Sequence, residues 1–147
     1  MCELNNKASE IMKRHTVNAC TDISGYGLLG HLREMSLASK VDMDIYLAQI
    51  PCIPGIRDLV ACNIISGGTK EILSYVSPGV KWDTEISMID KLILCDSQTS
   101  GGLLISIPEE YSVKFMAELK KAGISQTARI GSAIREGTGN IYVRKKF

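Results

Sequence analysis

Glycines at positions 25, 27 and 30 open the strongest helical pattern in the chain. This joining of a pliant turn to an amphipathic helix narrows the available folds more than any other feature. From Leu28 to Ala38, the residues Leu28, Leu29, Leu32, Met35 and Leu37 supply an apolar stripe, which predicts a helix packed by one face. The glycines have GxGxxG spacing, but a dinucleotide-binding turn needs a buried hydrophobic strand before it and an acid ending the next strand. Here Asn18, Thr21 and Asp22 precede the turn, and Asp42 and Asp44 begin the following strand instead of ending it. The context therefore disfavours a Rossmann fold. Glycines before a helix still allow close backbone approach, and a helix N-terminus favours an anion such as phosphate. Asp22 stands just ahead of the turn, where its carboxylate can cap the helix or hold a hard cation such as magnesium; residue physics alone favours the cap. His31, beside Leu32 inside the helix, reads as a packed histidine.

A second loop, Asp96-Ser97-Gln98-Thr99-Ser100-Gly101-Gly102, places an acid, hydroxyls and two glycines directly before the apolar run Leu103–Ile107. Such a loop forms either a tight turn held by its own side chains or a nest for an oxyanion, and spacing leaves both open. Ser66-Gly67-Gly68-Thr69 poses the same question with fewer polar groups, and there the turn reading leads.

The remaining pattern predicts one α+β domain over residues 1–147, a mixed sheet covered by helices. Lys7–Arg14 reads as a helix with Ala8, Ile11 and Met12 on one face and Asn5 or Asn6 as its cap. Val41–Leu47 begins with strand alternation, and Ile56–Cys62 and Lys70–Val76 read as short helices. Val80–Trp82 reads as a strand, while Ile89–Cys95 is ambiguous between helix and strand. Glu109–Ala122 has acids at its start, Lys120-Lys121 at its end and Gly123 to close it, as a helix should. Ala128–Ile134 and Asn140–Arg144 are predicted to form two strands joined as a hairpin through Glu136-Gly-Thr-Gly139.

A net charge of +1 with acids and bases interspersed gives no footprint for nucleic acid. No apolar run approaches bilayer length, and the N-terminus lacks the pattern of a signal peptide, so neither membrane nor export is expected and the cytoplasm is. Five cysteines (Cys2, Cys20, Cys52, Cys62, Cys95) make an odd count without a CxxC pair. That argues against a disulfide framework and a zinc knuckle. Cys62 and Cys95 follow apolar runs and read as reduced core filling.

Taken together, the loops resemble one family. ACTDISGYGLLGHLREM at Ala19–Met35 is similar to the TD-x-TGFGLLGH-x-xEM segment of selenophosphate synthetases (selenide, water dikinases), and LCDSQTSGGLLISIP at Leu94–Pro108 to their DPQTSGGLL segment. IPGIRDLVACNIISGGT at Ile53–Thr69 matches the family's PG…GGT stretch, and ARIGSAI at Ala128–Ile134 its IG-x-V strand. The similarity runs in order from about Leu4 to Val143, with QTSGGLL its most specific string.

The resemblance implies the C-terminal domain of a two-domain enzyme that makes selenophosphate, AMP and phosphate from selenide, ATP and water. The implied fold is shared with the C-terminal domain of aminoimidazole ribonucleotide synthetase. In the family, the acid of TD-x-TG completes the magnesium site used by ATP; the matching residue is Asp22, so the resemblance reverses the preference for a cap. Thr21, Gly25, Gly27, Asp96, Thr99, Ser100, Gly101 and Gly102 are implied to line the cleft facing an N-terminal ATP-binding domain. That domain would carry the catalytic residues, leaving none in this chain, which is expected to be silent alone and to hold neither ATP nor magnesium tightly. A homodimer is implied for the full enzyme. Four positions depart from the family: Tyr26 for Phe, Ser24 for Thr, Ile72 for Asn, and Ser97 for a proline whose loss is expected to loosen its loop. Two other readings are a non-catalytic docking or regulatory module and a stand-alone nucleotide binder.

Overall fold

The structure, a computed structural model, describes residues 4–146 of the 147; Met1 to Glu3, Cys2 among them, and Phe147 lie outside the described residues. In chain order the elements are α1 (Asn6–Met12), β1 (Ala19–Asp22), α2 (Gly27–Ser39), β2 (Val41–Tyr46), α3 (Ile56–Ala61) and α4 (Thr69–Val76). They continue with β3 (Val80–Trp82), α5 (Met88–Leu94), β4 (Leu103–Ser106), α6 (Glu109–Lys121), β5 (Gly131–Glu136) and β6 (Ile141–Arg144). The architecture is α+β, with a mixed four-stranded sheet of order β3-β6-β2-β5 and a separate antiparallel pair β1-β4. Among the described residues, no helix is long and apolar enough to cross a membrane.

The apolar stripe of α2 packs inward at Leu29, Leu32 and Met35 as its period requires, with Leu28 half-buried, but Leu37, read as part of the stripe, is exposed near the helix's C-terminal end. Leu29, Leu32 and Met35 are buried and join Met43, Ile45, Ile141 and Val143 of the sheet in the main core. Ile72 and Val76 of α4 and Leu94 of α5 complete that core. A smaller cluster forms where Ile11 of α1 meets Phe115 and Leu119 of α6 over Ile105 and Ile107. Asn5 is the N-cap residue of α1 but its side chain makes no capping bond, while Asn6 Oδ1 accepts the N–H of the adjacent Lys7 at 2.9 Å from within the first turn. Ile89–Cys95 resolves as helix because Ser87 and Asp90 form a capping box, with the Asp90 N–H donating to Ser87 Oγ and the Ser87 N–H to Asp90 Oδ2.

One omission and one expectation are corrected. The polar segment before the glycines, assigned no element from sequence, is a strand: β1 pairs antiparallel with β4, Ala19 against Ser106 through Asp22 against Leu103, with one face half-buried and the other exposed. This pair lies outside the larger sheet, so no βαβ unit precedes the glycines.

The second correction concerns β5 and β6, which do not form a hairpin. β2 lies between them, antiparallel to β5 and parallel to β6. The cause is the Asp42 carboxylate, buried at the start of β2. Its Oδ1 accepts the Asn140 N–H at 2.8 Å and its Oδ2 accepts Arg135 Nε at 3.1 Å, so the Gly137–Asn140 connection passes over the end of β2. The Asn140 N–H, and with it the Arg135 guanidinium, holds the Asp42 carboxyl below its ordinary value against the opposing pull of burial. Gly137 is required at this crossing, since a Cβ there would stand 2.3 Å from Asp42 Oδ1.

Cysteine placement also divides. Cys95 is fully buried and burial pushes its thiol up to about 12, as core filling should be. Cys62, at the end of α3, is exposed instead, because that short helix buries only Val60. A thiol reagent applied to the native chain near pH 8 should therefore modify Cys20, Cys52 and Cys62 while Cys95 reacts only after unfolding; early labelling of Cys95 would contradict this packing.

Candidate functional site

Three glycine-containing loops meet at one end of the molecule. The centre of the meeting is Asp96, two residues past the end of α5. Its Oδ1 accepts hydrogen bonds from Ser66 Oγ and Thr69 Oγ1, each at 2.9 Å, and from the Ser66 N–H at 3.4 Å. Thr69 is the first residue of α4 and fully buried, so this carboxylate fixes the start of that helix. Gln98 Nε2 donates to the Asp96 carbonyl at 3.2 Å and to Oδ2 at 3.4 Å, folding the loop back on itself. The Asp96–Gly102 loop is thus a turn held by its own side chains, as one of the two sequence readings had it.

The same loop is stitched to the segment after β1. Ile23 donates its N–H to Gly102 and receives the Gly101 N–H, each at 2.9 Å, and Ser24 accepts the Gln98 N–H at 3.0 Å. Ser97 Oγ donates to the Gly25 carbonyl at 2.7 Å. Far from loosening the loop, Ser97 bonds it to its neighbour. Gly27, at φ +62°, sits against the turn, where a Cβ would lie 2.7 Å from the Asp96 carbonyl oxygen. Gly102, at φ +88°, is the other position where the left-handed backbone calls for glycine.

The sequence-flagged residues therefore sort by what their side chains have left to offer. Asp96 is committed internally, and Thr21 Oγ1 donates to the Asp22 carbonyl at 3.2 Å. Thr99 and Ser100 are exposed, and their hydroxyls take no hydrogen bond among the described residues. Asp22, at the last position of β1, is also exposed. α2 has Tyr26 as its N-cap residue and takes no side-chain cap, so the capping role is vacant and the Asp22 carboxylate pairs with nothing in the described residues. Its charge acts on neighbouring Cys20, whose thiol is raised by burial first and by Asp22 second. Among the described residues, no three His, Cys, Asp or Glu side chains converge as a metal site. The unpaired Asp22 carboxylate can offer an oxygen ligand to a hard cation, but by itself makes no complete site.

Sequence reasoning missed two arrangements here. Ser66 and Thr69 hold Asp96, although the SGGT string signals only a turn. His31, read as packed, is buried, but it also links Ser24 Oγ, 3.1 Å from Nε2, to Glu34 Oε2, 3.4 Å from Nδ1. The i,i+3 spacing of His31 and Glu34 was the available signal. Ile72, where the family has asparagine, is buried in the main core beside Gly68 and Gly30.

The match to a protein family covers residues 2–144, and that family is described as AIR synthase related protein, C-terminal domain. A selenide, water dikinase of Carboxydothermus hydrogenoformans is 39% identical over 142 residues, which is 97% of this chain and 40% of that protein. One from Caldanaerobacter subterraneus is 40% identical over 141 residues (96% and 41%), and one from Clostridioides difficile 38% over 143 (97% and 41%). The chain spans about two-fifths of the length of these curated relatives.

Asp96→Ala strips Ser66 and Thr69 of their shared acceptor and should lower the unfolding free energy by about 2–4 kcal/mol. Gly27→Ala should act in the same direction through steric clash and positive φ. Chemical denaturation measures both; wild-type stability in Asp96→Ala would show that the carboxylate does not hold the loops.

Proposed function

We propose, from the premise that the chain belongs to the family of AIR synthase related protein C-terminal domains, that it is the C-terminal domain of a selenide, water dikinase. The observation that carries this reading is Asp22: an exposed, unpaired carboxylate at the end of β1, beside three mutually bonded loops, in the segment whose residues resemble the dikinase TD-x-TG motif. In this reading residues 1–147 form one domain, and an N-terminal domain supplies the ATP site, the nucleophile and the remaining metal ligands. The full enzyme converts selenide, ATP and water to selenophosphate, AMP and phosphate in the cytoplasm as a homodimer. Magnesium would neutralise charge on the phosphates.

The chain's own contribution is positional. Asp22 offers one hard oxygen ligand, and β1-β4 pairing together with the Ile23–Gly102 bonds fixes where that oxygen stands. Thr99 and Ser100 offer two free hydroxyls to phosphate oxygens from the facing loop. Gly25 and Gly27 let the backbone come close without side-chain obstruction. One carboxylate and a few hydroxyls cannot bind a magnesium nucleotide tightly, so the chain alone is inactive. A stand-alone dinucleotide binder has little support, because β1 lies outside the larger sheet.

Titration calorimetry of magnesium-ATP into the chain should give no measurable binding. With a dikinase N-terminal domain added, binding should appear and should weaken by at least about tenfold in Asp22→Ala. Tight binding to the chain by itself would overturn the reading and favour a nucleotide binder.

A further inference from the structure

Beside the loop junction, α2 and α4 leave a shallow concavity lined by Tyr26, Glu34, Glu71, Ile72 and Tyr75. Its walls are unusual for a solvated surface. Tyr26 and Tyr75 are 52% and 53% exposed, and their ring centroids lie 6.1 Å apart at 45°. Tyr26 is braced edge-on by His31 at 5.8 Å, and Ile72 forms a buried floor. Gly30 permits this closeness, since a Cβ there would strike the Tyr26 side chain at 2.5 Å.

The two acids on the rim carry no cationic lysine or arginine partner. Glu34 meets only His31, and Glu71 makes no hydrogen bond or ion pair among the described residues. Two π faces and two carboxylates without a lysine or arginine partner, Glu34 meeting only His31, around an apolar floor make a site for a cation with a flat, weakly hydrated head. The cavity volume of about 280 Å³ falls just under the roughly 300 Å³ at which small-molecule pockets begin. It suits the end of a side chain better than a nucleotide.

We infer that this concavity is a docking site for an arginine side chain carried by the ATP-binding domain. The identity of the partner rests on the function proposed above; the arginine preference rests on the site alone. A guanidinium can lie against the tyrosine rings while its N–H groups reach Glu34 and Glu71, which a lysine ammonium does less well. Such an anchor would lie close to Gly25 and Ser97, so docking would set the facing domain against the loops that carry Asp22. Aromatic residues and arginine dominate the energetics of protein interfaces of this kind.

The test has two arms. In the first, the chain is titrated with N-acetyl-arginine amide and, separately, N-acetyl-lysine amide, and the Tyr26 and Tyr75 ring resonances are followed by NMR. Saturable shifts with arginine, weaker with lysine and reduced about tenfold in affinity by Tyr75→Ala or Glu71→Gln, are expected. Both residues are exposed, and unchanged resonances elsewhere verify the fold. No saturable shift with arginine, or equal response to both amides, overturns the inference.

In the second arm, a dikinase N-terminal domain is bound to the chain and to both variants. Loss of at least about fivefold in domain affinity supports the docking role. Binding unaffected by either substitution overturns that role while leaving the proposed function standing. Failure of the domain to bind the wild-type chain overturns the partner assignment, and the amide titration alone then decides whether the site takes a guanidinium.

Discussion

One carboxylate oxygen, Asp96 Oδ1, gathers the hydroxyls of Ser66 and Thr69, and the geometry of the site follows from that convergence. Through Thr69 it fixes the start of α4; through its own backbone it fixes the end of α5; and its carbonyl forms the wall against which Gly27 opens α2. Three helix ends that are distant in sequence are thereby held within a few bonds of each other. Hydrogen bonds to a charged acceptor are individually the stronger kind, and the Ser66 and Thr69 hydroxyls, themselves 2.6 Å apart, share this one. This internal use of Asp96 also separates it from Asp22. Two aspartates, one at the end of β1 just before a glycine-containing turn and one within such a loop, have opposite roles because Asp96 is surrounded by donors and Asp22 by solvent.

Asp42 acts on the sheet as Asp96 acts on the loops. By receiving Asn140 and Arg135 it places β5 and β6 on opposite sides of β2, and the parallel β2-β6 pairing then lets Ile141 and Val143 enter the core under α2. Both carboxylates, Asp42 buried and Asp96 half-buried, illustrate the same rule: an acid drawn out of solvent is tolerated where several donors satisfy it, and it then dictates the path of the chain around it. The result is a frame in which the exposed groups, Asp22, Thr99 and Ser100, stand on short, well-bonded segments.

Much of this was legible in the sequence, and the gaps have physical causes. α2 was readable from its apolar period, and α6 because periodicity, terminal charges and the closing glycine, Gly123 at φ +90°, agree with one another. β1 was missed because a strand with a solvated face carries little hydrophobic signal. The β5-β6 hairpin was expected because Gly137 and Gly139 look like turn residues, whereas Gly137 serves to clear Asp42, a contact no local pattern announces. Within the site, the loops were identified but not their mutual bonds. Ser66, Thr69 and Ser97 act across 27 to 72 positions of sequence, beyond the reach of spacing arguments. His31 was read as packed; it is, but it also bonds Ser24.

The account's central claim is that the loop carrying Asp22 and the loop carrying Thr99 and Ser100 form one face of a metal-nucleotide site completed by another domain. Manganese-ATP, whose paramagnetic ion broadens nearby NMR signals, tests it most directly in the isotope-labelled chain mixed with an unlabelled dikinase N-terminal domain. The account predicts broadening centred on Asp22 and its neighbours Ser24 and Gly25, extending to Thr99–Gly101, and seen only in the mixture. Broadening centred on another surface, or equal broadening in the chain alone, would contradict it.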